Sequence, residues 1–237
     1  MYNAFMNTIC LSENANTTLK EFLQKKGCKL IEIKKTDAVY DAVSSHGDIY
    51  LCKLGDELVV AREELSLIQD KLQNNLVAYS EGVCELGYQY PLNIKYNAVQ
   101  LGDYLIHNTK YTDPQILARA EELGLKLLNV KQGYTKCNLV IVDDHSVITS
   151  DEGITGVLTE HGIEVLLVGK GYVRLSGFPY GFLGGASGKV DNEIIFNGNL
   201  SAHPDYEKIK EFISAKGLQT TYFKEYPLED IGSIIQV

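Results

Sequence analysis

The fold is decided by residues 138–168, which read NLVIVDDHSVITSDEGITGVLTEHGIEVLLV. The stretch begins with two apolar segments, Asn138–Val142 and Ser146–Thr149, on either side of a turn at Asp143-Asp144. A helical pattern follows at Glu152–Glu160, and after Gly162 comes a third apolar segment, Ile163–Val168. Two apolar segments joined by a tight turn predict a β-hairpin. A glycine after the last helical residue is typical of a helix end, because glycine tolerates positive φ. The stretch therefore predicts a hairpin, a helix and a return strand, in that order.

The same order of patterns recurs along the rest of the chain. Hairpins are predicted at Ile49–Ala61, Ile94–Asn108 and Lys189–Asn197, with turns at Gly55-Asp56, Gly102-Asp103 and Asp191-Asn192. Helices are predicted at Glu63–Gln73, Asp113–Leu123 and Pro204–Ala215, and return strands at Leu125–Val130 and Leu218–Phe223. Gly124 and Gly217 end two of these helices. The equivalent position after the helix Glu63–Gln73, near Asn75, has no glycine.

The two ends of the chain together supply a fifth copy. The N-terminal segment predicts a strand, a helix, its terminating glycine and a return strand at Phe5–Leu11, Thr17–Lys26, Gly27 and Cys28–Ile33. The missing hairpin strand is predicted at Ile231–Val237, so that the last strand pairs with the first and closes a ring. Dividing 237 residues by five assigns about 47 to each unit. We therefore expect an α/β fold, a five-fold pseudosymmetric propeller of ββαβ units forming a single domain over residues 1–237.

A two-layer α/β sandwich with two or three βαβ units is the alternative architecture, since it also alternates strands with helices. The strands of a doubly wound parallel sheet alternate singly with helices. A hairpin before every helix argues against that arrangement and favours the ring.

Composition and charge narrow the class of protein. Lys and Arg number 22 against 31 Asp and Glu, and the resulting net charge of −9 disfavours a nucleic-acid partner. The longest apolar runs, such as Ile163–Val168, are too short for a bilayer, and Met1–Glu13 lacks the pattern of a signal peptide. Five cysteines without a CxxC pair are typical of reduced cytosolic thiols. We expect a cytoplasmic protein without metal, cofactor or membrane contact; a homo-oligomer is compatible with the sequence.

The five units, together with Tyr180-Gly-Phe-Leu-Gly-Gly-Ala-Ser-Gly188 and His203-Pro204, resemble the pentein superfamily. Within it, the chain is similar to an uncharacterised, clostridial-type bacterial group. The superfamily holds guanidine-modifying enzymes, namely arginine and agmatine deiminases, dimethylarginine hydrolases and amidinotransferases, and also the non-catalytic ribosome anti-association factor. The resemblance implies a five-bladed α/β-propeller. For the enzymes it also implies a cysteine nucleophile, a histidine that moves protons, and carboxylates that grip a guanidinium group.

The positions that the resemblance assigns to this chemistry are mostly substituted here. Asp48, in His46-Gly47-Asp48, matches a guanidinium-binding carboxylate, although the arginine that accompanies it in the enzymes is absent. Asn97 replaces an acid, Lys136-Cys137-Asn138 replaces the histidine motif, and Ile235 stands at the nucleophile position. No cysteine follows Cys137. The alignment therefore favours a protein without deiminase or amidinotransferase activity.

Three functions remain open from the sequence. The first is binding of a small polar ligand in the central channel, with Asp48 gripping a cationic group and hydrogen bonds from Asn97, Lys136, Asn138 and Ser187. The second is a divergent hydrolase or transferase on a guanidino or amide substrate, with Cys137 or Asp48 as the reactive group and His46 nearby. Against it, Cys137 is expected to be a buried small hydrophobe. The third is a ribosome- or protein-binding module.

Two further segments invite a functional interpretation. Gly184–Lys189 is similar to a phosphate-binding loop but departs from it at Leu183 and Val190, and a tight strand entry is the favoured interpretation. Its backbone N–H groups could alternatively bind a small anion. The segment Lys170–Phe182 is long for a connection and predicts either a lid with aromatic walls or a packed surface loop.

Overall fold

The structure, a computed structural model, describes residues 7–237. Phe5 and Met6 of the predicted first strand lie outside the described residues. The N-terminal unit contains β1 (Thr8–Ser12), α1 (Thr17–Lys25) and β2 (Lys29–Ile33). The second contains α2 (Gly47–Tyr50), β3 (Leu51–Leu54), β4 (Glu57–Val60), α3 (Arg62–Asn74) and β5 (Ala78–Glu81), and the third contains β6 (Val99–Leu101), β7 (Tyr104–His107), α4 (Pro114–Glu122) and β8 (Lys126–Asn129).

The remaining elements complete two more units and the closing strand. The fourth unit contains α5 (Thr135–Asn138), β9 (Val140–Asp143), β10 (Ser146–Thr149), α6 (Glu152–Glu160) and β11 (Glu164–Leu167). The fifth contains β12 (Ser187–Val190), β13 (Glu193–Phe196), α7 (Tyr206–Ala215) and β14 (Gln219–Thr221), and β15 (Ile235–Gln236) follows it. No helix among residues 7–237 is long and apolar enough to cross a membrane.

These elements form five sheets of three strands each. In four of them an antiparallel hairpin is followed by a helix and a strand parallel to the second hairpin strand, as in β3–β4–β5. The fifth sheet takes its strands from both ends of the chain, because β15 pairs antiparallel with β1, with Ile9 opposite Gln236. The predicted repeat and its closure are therefore confirmed, and the fold is the five-fold α/β arrangement.

Several predicted strands are too long at their N-terminal ends, whereas the one predicted at Lys189 starts earlier, at Ser187. Ile49 and Asn138 lie in the short helices α2 and α5, the segment 94–98 precedes β6, and residues 231–234 precede β15. The chain bends in each of these places before it enters the sheet, as the hydrogen bond from the Asn97 N–H to the Ile94 carbonyl shows. Such bends bring polar residues to the middle of the ring.

Amphipathic helices cover the outer faces of the units. In α4 the Asp113 carboxylate caps the helix by accepting the Gln115 N–H at 2.8 Å, and Pro114 stands in the first turn, as the sequence predicts. Ile116 and Ala120 are fully buried on its inner face. Burial of this apolar stripe, more than helix propensity, holds such short helices in place.

A residue with positive φ follows the C-terminal end of each long helix. Four are the predicted glycines, with φ of 86° at Gly27, 68° at Gly124, 76° at Gly162 and 74° at Gly217. At the equivalent position after α3, near Asn75, the residue with positive φ is Leu76, which has φ of 56° and is 94% exposed. A leucine side chain in this conformation is strained, and no burial compensates for it here.

We predict that Leu76→Gly stabilises the protein, because glycine adopts this φ without strain. The free energy of unfolding is expected to rise by about 0.5 to 1 kcal/mol in urea unfolding at neutral pH. Gly124→Leu is the matched control, since no atom lies within 4 Å of a Cβ built there; it should lower the same quantity by a similar amount. Destabilisation by Leu76→Gly would contradict the strain argument.

Candidate functional site

Four polar segments meet where the chain enters the first strands of the units. Each stands at a bend before β3, β6, β9 or β15, so the fold brings them together near the ring axis. The segments are 46–48, Asn97, 136–138 and 230–233. Nearly all of their polar side chains are buried. This cluster is the candidate functional site.

Asp48 lies at the centre of the cluster and is fully buried. Its Oδ2 accepts a hydrogen bond from Ser233 Oγ at 2.7 Å, and Ser233 Oγ in turn accepts one from Lys136 Nζ at 3.1 Å. Burial raises the pKa of Asp48 and lowers the pKa of Lys136, because each loses the hydration of its charge. The Ser233 hydroxyl therefore links an acid and an amine inside the ring.

Asn97 braces two units against each other. Its Nδ2 donates to the Asp48 carbonyl at 2.9 Å and to Cys137 Sγ at 3.1 Å. Its Oδ1 accepts the N–H groups of Lys136 at 2.8 Å and of Cys137 at 3.2 Å. The amide predicted as a ligand contact thus makes four hydrogen bonds within the chain itself.

Cys137 is buried beside these groups and is not poised to react. Burial raises the pKa of its thiol well above the ordinary value, and the carboxylates of Asp48 and Asp230 raise it further. The Lys136 ammonium donates to Ser233 rather than to the sulfur. Because the thiolate is the nucleophilic form, these surroundings suit the predicted buried hydrophobe.

His46 and Asp230 form the outer part of the site. His46 Nδ1 lies 3.6 Å from Asp230 Oδ1, beyond hydrogen-bond distance, and it has no hydrogen-bond partner in the described part of the chain, residues 7–237. Burial lowers the pKa of His46 to about 4, so the imidazole is neutral at physiological pH. Burial also raises the pKa of Asp230 to about 6, although its carboxylate accepts the N–H groups of Phe182 at 2.9 Å and Gly232 at 3.0 Å.

Two predicted ligand residues point to other partners. The Asn138 Nδ2 donates to the carbonyl of Tyr134 at 2.9 Å, within its own turn, and Ser187 Oγ donates to the Gly184 carbonyl at 3.3 Å. Over residues 7–237, no hydrogen bond joins either side chain to Asp48. The structure therefore brings together His46, Asp48, Asn97, Lys136 and Cys137, but not Asn138 or Ser187.

The glycine-rich segment 184–189 is a tight strand entry. The Gly185 N–H donates to the Cys137 carbonyl at 2.7 Å, and the Ser187 N–H donates to the Gly184 carbonyl at 3.2 Å. A Cβ on Gly188 would lie 2.0 Å from the Ile234 carbonyl oxygen. These backbone donors are used within the chain and the glycines permit close packing, which agrees with the favoured interpretation rather than with anion binding by the loop.

A pocket of about 550 Å³ opens over the outer part of the site. His46 and Asp230 lie in its lining, and Tyr40 and Phe178 form an aromatic wall with ring centroids 5.5 Å apart. Phe178 belongs to the long segment 170–182, so that segment contributes an aromatic wall, one of the two roles predicted for it. Asp41 and Glu229 add carboxylates, and Lys35, which pairs with Asp41, adds one cation.

Sequence reasoning missed Asp230 and Ser233. Ser233 is fully buried and has φ of 72°, an unusual backbone conformation for a residue other than glycine or asparagine. The only local signal is the Gly232-Ser233 pair before the closing strand. What gives both residues their roles is contact with segments almost 200 residues earlier in the chain.

Residues 10–235 match the family of unknown function DUF6873. No curated protein matches the chain. Among solved structures, the chain is similar to a dimethylarginine dimethylaminohydrolase mutant from Pseudomonas aeruginosa, complexed with citrulline, at 11% identity and a TM-score of 0.57 over 92% of each chain. It is also similar to the agmatine deiminase of C. jejuni, at 11% identity and a TM-score of 0.54, over 94% of this chain and 91% of that one.

A third similar structure is the amidinotransferase SxtG from Microseira wollei. It shares 11% identity with a TM-score of 0.55, over 87% of this chain and 73% of that one. The resemblance to the pentein superfamily is thereby confirmed at the level of the fold. Identities this low do not carry an activity from one chain to another.

We predict that Cys137 reacts slowly with iodoacetamide at neutral pH, because its thiol is buried and protonated. Its labelling rate, followed by peptide mass spectrometry, is expected to be at least tenfold lower in the folded protein than in urea, an order-of-magnitude figure for a thiol kept protonated. Cys84 is only partly buried and serves as an internal reference within the same sample. If Cys137 is labelled in the folded protein as fast as in urea, the prediction of an unreactive thiol is wrong and Cys137 is again a candidate nucleophile.

We also predict that His46 lowers the stability of the protein in mild acid. Its pKa is about 4 in the folded chain against an ordinary value of 6.5, so between pH 7 and 5 only the unfolded state takes up the proton. When the pH falls from 7 to 5, the free energy of unfolding should decrease in the parent protein by about 1 to 2 kcal/mol more than in His46→Gln. Urea unfolding at the two pH values measures this difference.

The matched control is His145→Gln, because His145 is exposed. It should show the same pH dependence as the parent protein. Asp230, with its pKa raised to about 6, takes up a proton in the folded state first and so acts in the opposite direction in all three proteins. Equal pH dependence for His46→Gln and the parent would mean that His46 is not held neutral.

Proposed function

The chain belongs to the family of unknown function DUF6873, and from the geometry of its site we propose that it binds a small molecule bearing a guanidinium or ammonium group. The ligand occupies the pocket over His46 and Asp230. It is held there without cysteine-dependent hydrolysis or group transfer. The similarity of the fold to guanidine-modifying enzymes is compatible with this ligand class, but the proposal rests on the pocket.

The observation that carries the proposal is the charge of the pocket lining. Asp41, Glu229 and Asp230 contribute three carboxylates against the single ammonium of Lys35, and His46 is neutral. A concave site with excess carboxylate charge concentrates cations and disfavours anions. The charge of the lining therefore supports a binding site at the mouth of the ring, whereas the sequence alone suggested the central channel.

The aromatic wall supports the same ligand class. Tyr40 and Phe178 both line the pocket, and the Tyr40 hydroxyl is fixed by a 2.9 Å hydrogen bond to the Tyr134 hydroxyl. The face of an aromatic ring attracts a cation, with a gain of roughly 0.5 to 2 kcal/mol depending on solvent exposure. A cation between this wall and the carboxylate of Asp230 would have favourable contacts on two sides.

Unpartnered buried atoms favour a ligand with several N–H groups. His46 Nδ1, in the pocket lining, and Asp48 Oδ1, deeper in the cluster and outside that lining, are both buried and have no hydrogen-bond partner among residues 7–237. Buried polar atoms are nearly always paired, so such atoms mark a place where a donor is missing. A guanidinium group presents several N–H donors in one plane and can reach a carboxylate and an imidazole nitrogen together, whereas an ammonium is a point charge.

The reactive groups of the site support binding without catalysis. Burial keeps the Cys137 thiol protonated, as described above. The Ser233 hydroxyl is fully buried and donates to Asp48, so it has no free path to a ligand in the pocket. Neither Cys137 nor Ser233 lines the pocket in which the proposed ligand is held.

We predict that agmatine and arginine bind with measurable affinity and without turnover. A ligand at 100 times its dissociation constant should raise the unfolding free energy by about 2.7 kcal/mol, seen as a thermal shift. Citrulline, in which an uncharged urea replaces the guanidinium, should bind at least tenfold more weakly than arginine, an order-of-magnitude figure for loss of a charge-assisted contact. Isothermal titration calorimetry measures both constants.

Asp230→Asn tests the residue that faces the ligand. It should weaken agmatine binding at least tenfold, whereas Asp70→Asn, on the exposed face of α3, should leave it unchanged. Glu229→Gln provides a second, milder change at the rim if the first variant is poorly folded. Equal affinity for arginine and citrulline, or unchanged binding in both pocket variants, would refute the proposal, and ammonia release from either guanidine would refute the absence of turnover.

A further inference from the structure

The opposite end of the ring has its own axial cavity, lined by one equivalent position from every unit. In the second, third and fifth units this position stands two residues before the hairpin turn. In the other two units the equivalent residues lie in β9 and β15. The five residues are Lys53, Gln100, Ile141, Lys189 and Gln236, spaced by 47, 41, 48 and 47 residues. All five line a cavity of about 670 Å³. The pseudosymmetry of the fold thus builds this cavity directly.

Four of these side chains also brace neighbouring units. Lys53 Nζ donates to the Gln236 carbonyl at 2.9 Å, and Lys189 Nζ donates to the Val142 carbonyl at 2.8 Å. Gln100 Oε1 accepts the Gly55 N–H at 2.7 Å, and Gln236 Oε1 accepts the Asp191 N–H at 2.9 Å. Each contact crosses from one unit to the one before it around the ring. An ammonium has three N–H donors, so each lysine keeps two for another partner.

A third amine completes the lining. Lys136, from the candidate site near the ring centre, lines this cavity as well, and within residues 7–237 its ammonium makes one hydrogen bond, to the neutral Ser233 hydroxyl. In the part of the chain from residue 7 onwards, no carboxylate oxygen lies within 4 Å of the ammonium nitrogens of Lys53, Lys136 or Lys189. Three cations therefore line one concave space, and among residues 7–237 none of them forms a direct ion pair; Asp48 is joined to Lys136 only through the Ser233 hydroxyl.

The pKa values of two of these amines are consistent with ammonium groups that have no directly bonded carboxylate. Burial lowers the pKa of Lys53 and of Lys136, because each ammonium loses its hydration and the carboxylates near it, Asp56 for Lys53 and Asp48 and Asp230 for Lys136, offset that loss only in part. The titratable groups that face them across the cavity are Lys189 and the hairpin-turn acids Asp103, Asp144 and Asp191 at the exposed rim. Asp191 is already engaged by the amide of Asn7.

We propose that this axial cavity binds a small anionic molecule, whose phosphate, sulfate or carboxylate group is held by Lys53, Lys136 and Lys189. The site is distinct from the proposed cation pocket, since the two share no lining residue. The rim acids Asp103, Asp144 and Asp191 repel an extended polyanion, so the cavity suits a compact ligand whose anionic group lies on the axis. Charge-assisted hydrogen bonds from three ammonium groups supply the recognition.

The test compares anions at constant ionic strength. Inorganic phosphate, sulfate and citrate are each titrated against the full chain in a chloride background, with thermal shift and isothermal titration calorimetry as readouts. Saturable binding of at least one of them, well above the effect of chloride, is the expected result. Phosphate and sulfate separate tetrahedral anions from the carboxylates of citrate as the preferred group.

The variant for this test is Lys53→Gln with Lys189→Gln. It installs the side chain that the third unit and the closing strand already carry at the equivalent positions 100 and 236, so the cavity keeps a hydrogen-bonding brace. The dissociation constant for the best anion should rise at least tenfold, and each single substitution should raise it by threefold or more, order-of-magnitude figures for losing one charged contact of three. Lys208→Gln, on exposed α7, is the matched control and should change nothing.

Two outcomes overturn the proposal. One is that none of the three anions stabilises the protein beyond chloride; the other is that both the double variant and the single variants bind as tightly as the parent. Glu229→Gln should leave anion binding unchanged, because Glu229 lines the pocket at the other end of the ring. Failure of the cation proposal and failure of the anion proposal are therefore separate results.

Discussion

The hydrogen bond from the Asp48 N–H to the Gly232 carbonyl, 3.0 Å long, is the contact on which the centre of the molecule depends. It joins the segment before the closing strand to the helix that opens the second unit, so it holds the two ends of the repeat together. The approach is so close that a Cβ on Gly232 would lie 2.2 Å from the Cβ of His46. Only glycine fits there, and its positive φ directs Ser233 inward to Asp48 and Lys136. The buried acid, hydroxyl and amine follow from that single constraint.

This central cluster divides the axis into two ends of different chemistry. At one end, carboxylates and aromatic rings surround His46 and Asp230. At the other, lysines and glutamines converge, and no carboxylate of residues 7–237 forms an ion pair with Lys53, Lys136 or Lys189. Lys136 and Asp48 lie between them, joined through Ser233, with pKa values that burial shifts in opposite directions. Opposite charges are therefore separated along a short path through a buried interior, where they interact more strongly than on the surface.

The sequence predicts the units well because their signals are local. Helix α6 occupies Glu152–Glu160 as predicted, and four helix-ending glycines have positive φ. The unit with no glycine still uses the same backbone geometry, at Leu76, because the fold requires that turn whichever residue fills it. Strand starts are predicted less well. The chain bends at Ile49, Asn97 and Asn138 because five segments crowd around one axis, and no short window of sequence carries that information.

The sequence by itself determined the repeat, its closure and the presence of Asp48, Lys136 and Cys137 at the entry to two of the hairpins. Periodicity and turn chemistry are properties of a few neighbouring residues, so they can be read along the chain. Only the tertiary structure decided that Ser233 meets Asp48, 185 residues earlier, and that Asp230 lies beside His46. It also decided that Asn138 and Ser187 bond elsewhere and that Lys53 and Lys189 face a common cavity. The physical reason is that ring closure sets the contacts between units, whereas local sequence sets the contacts within them.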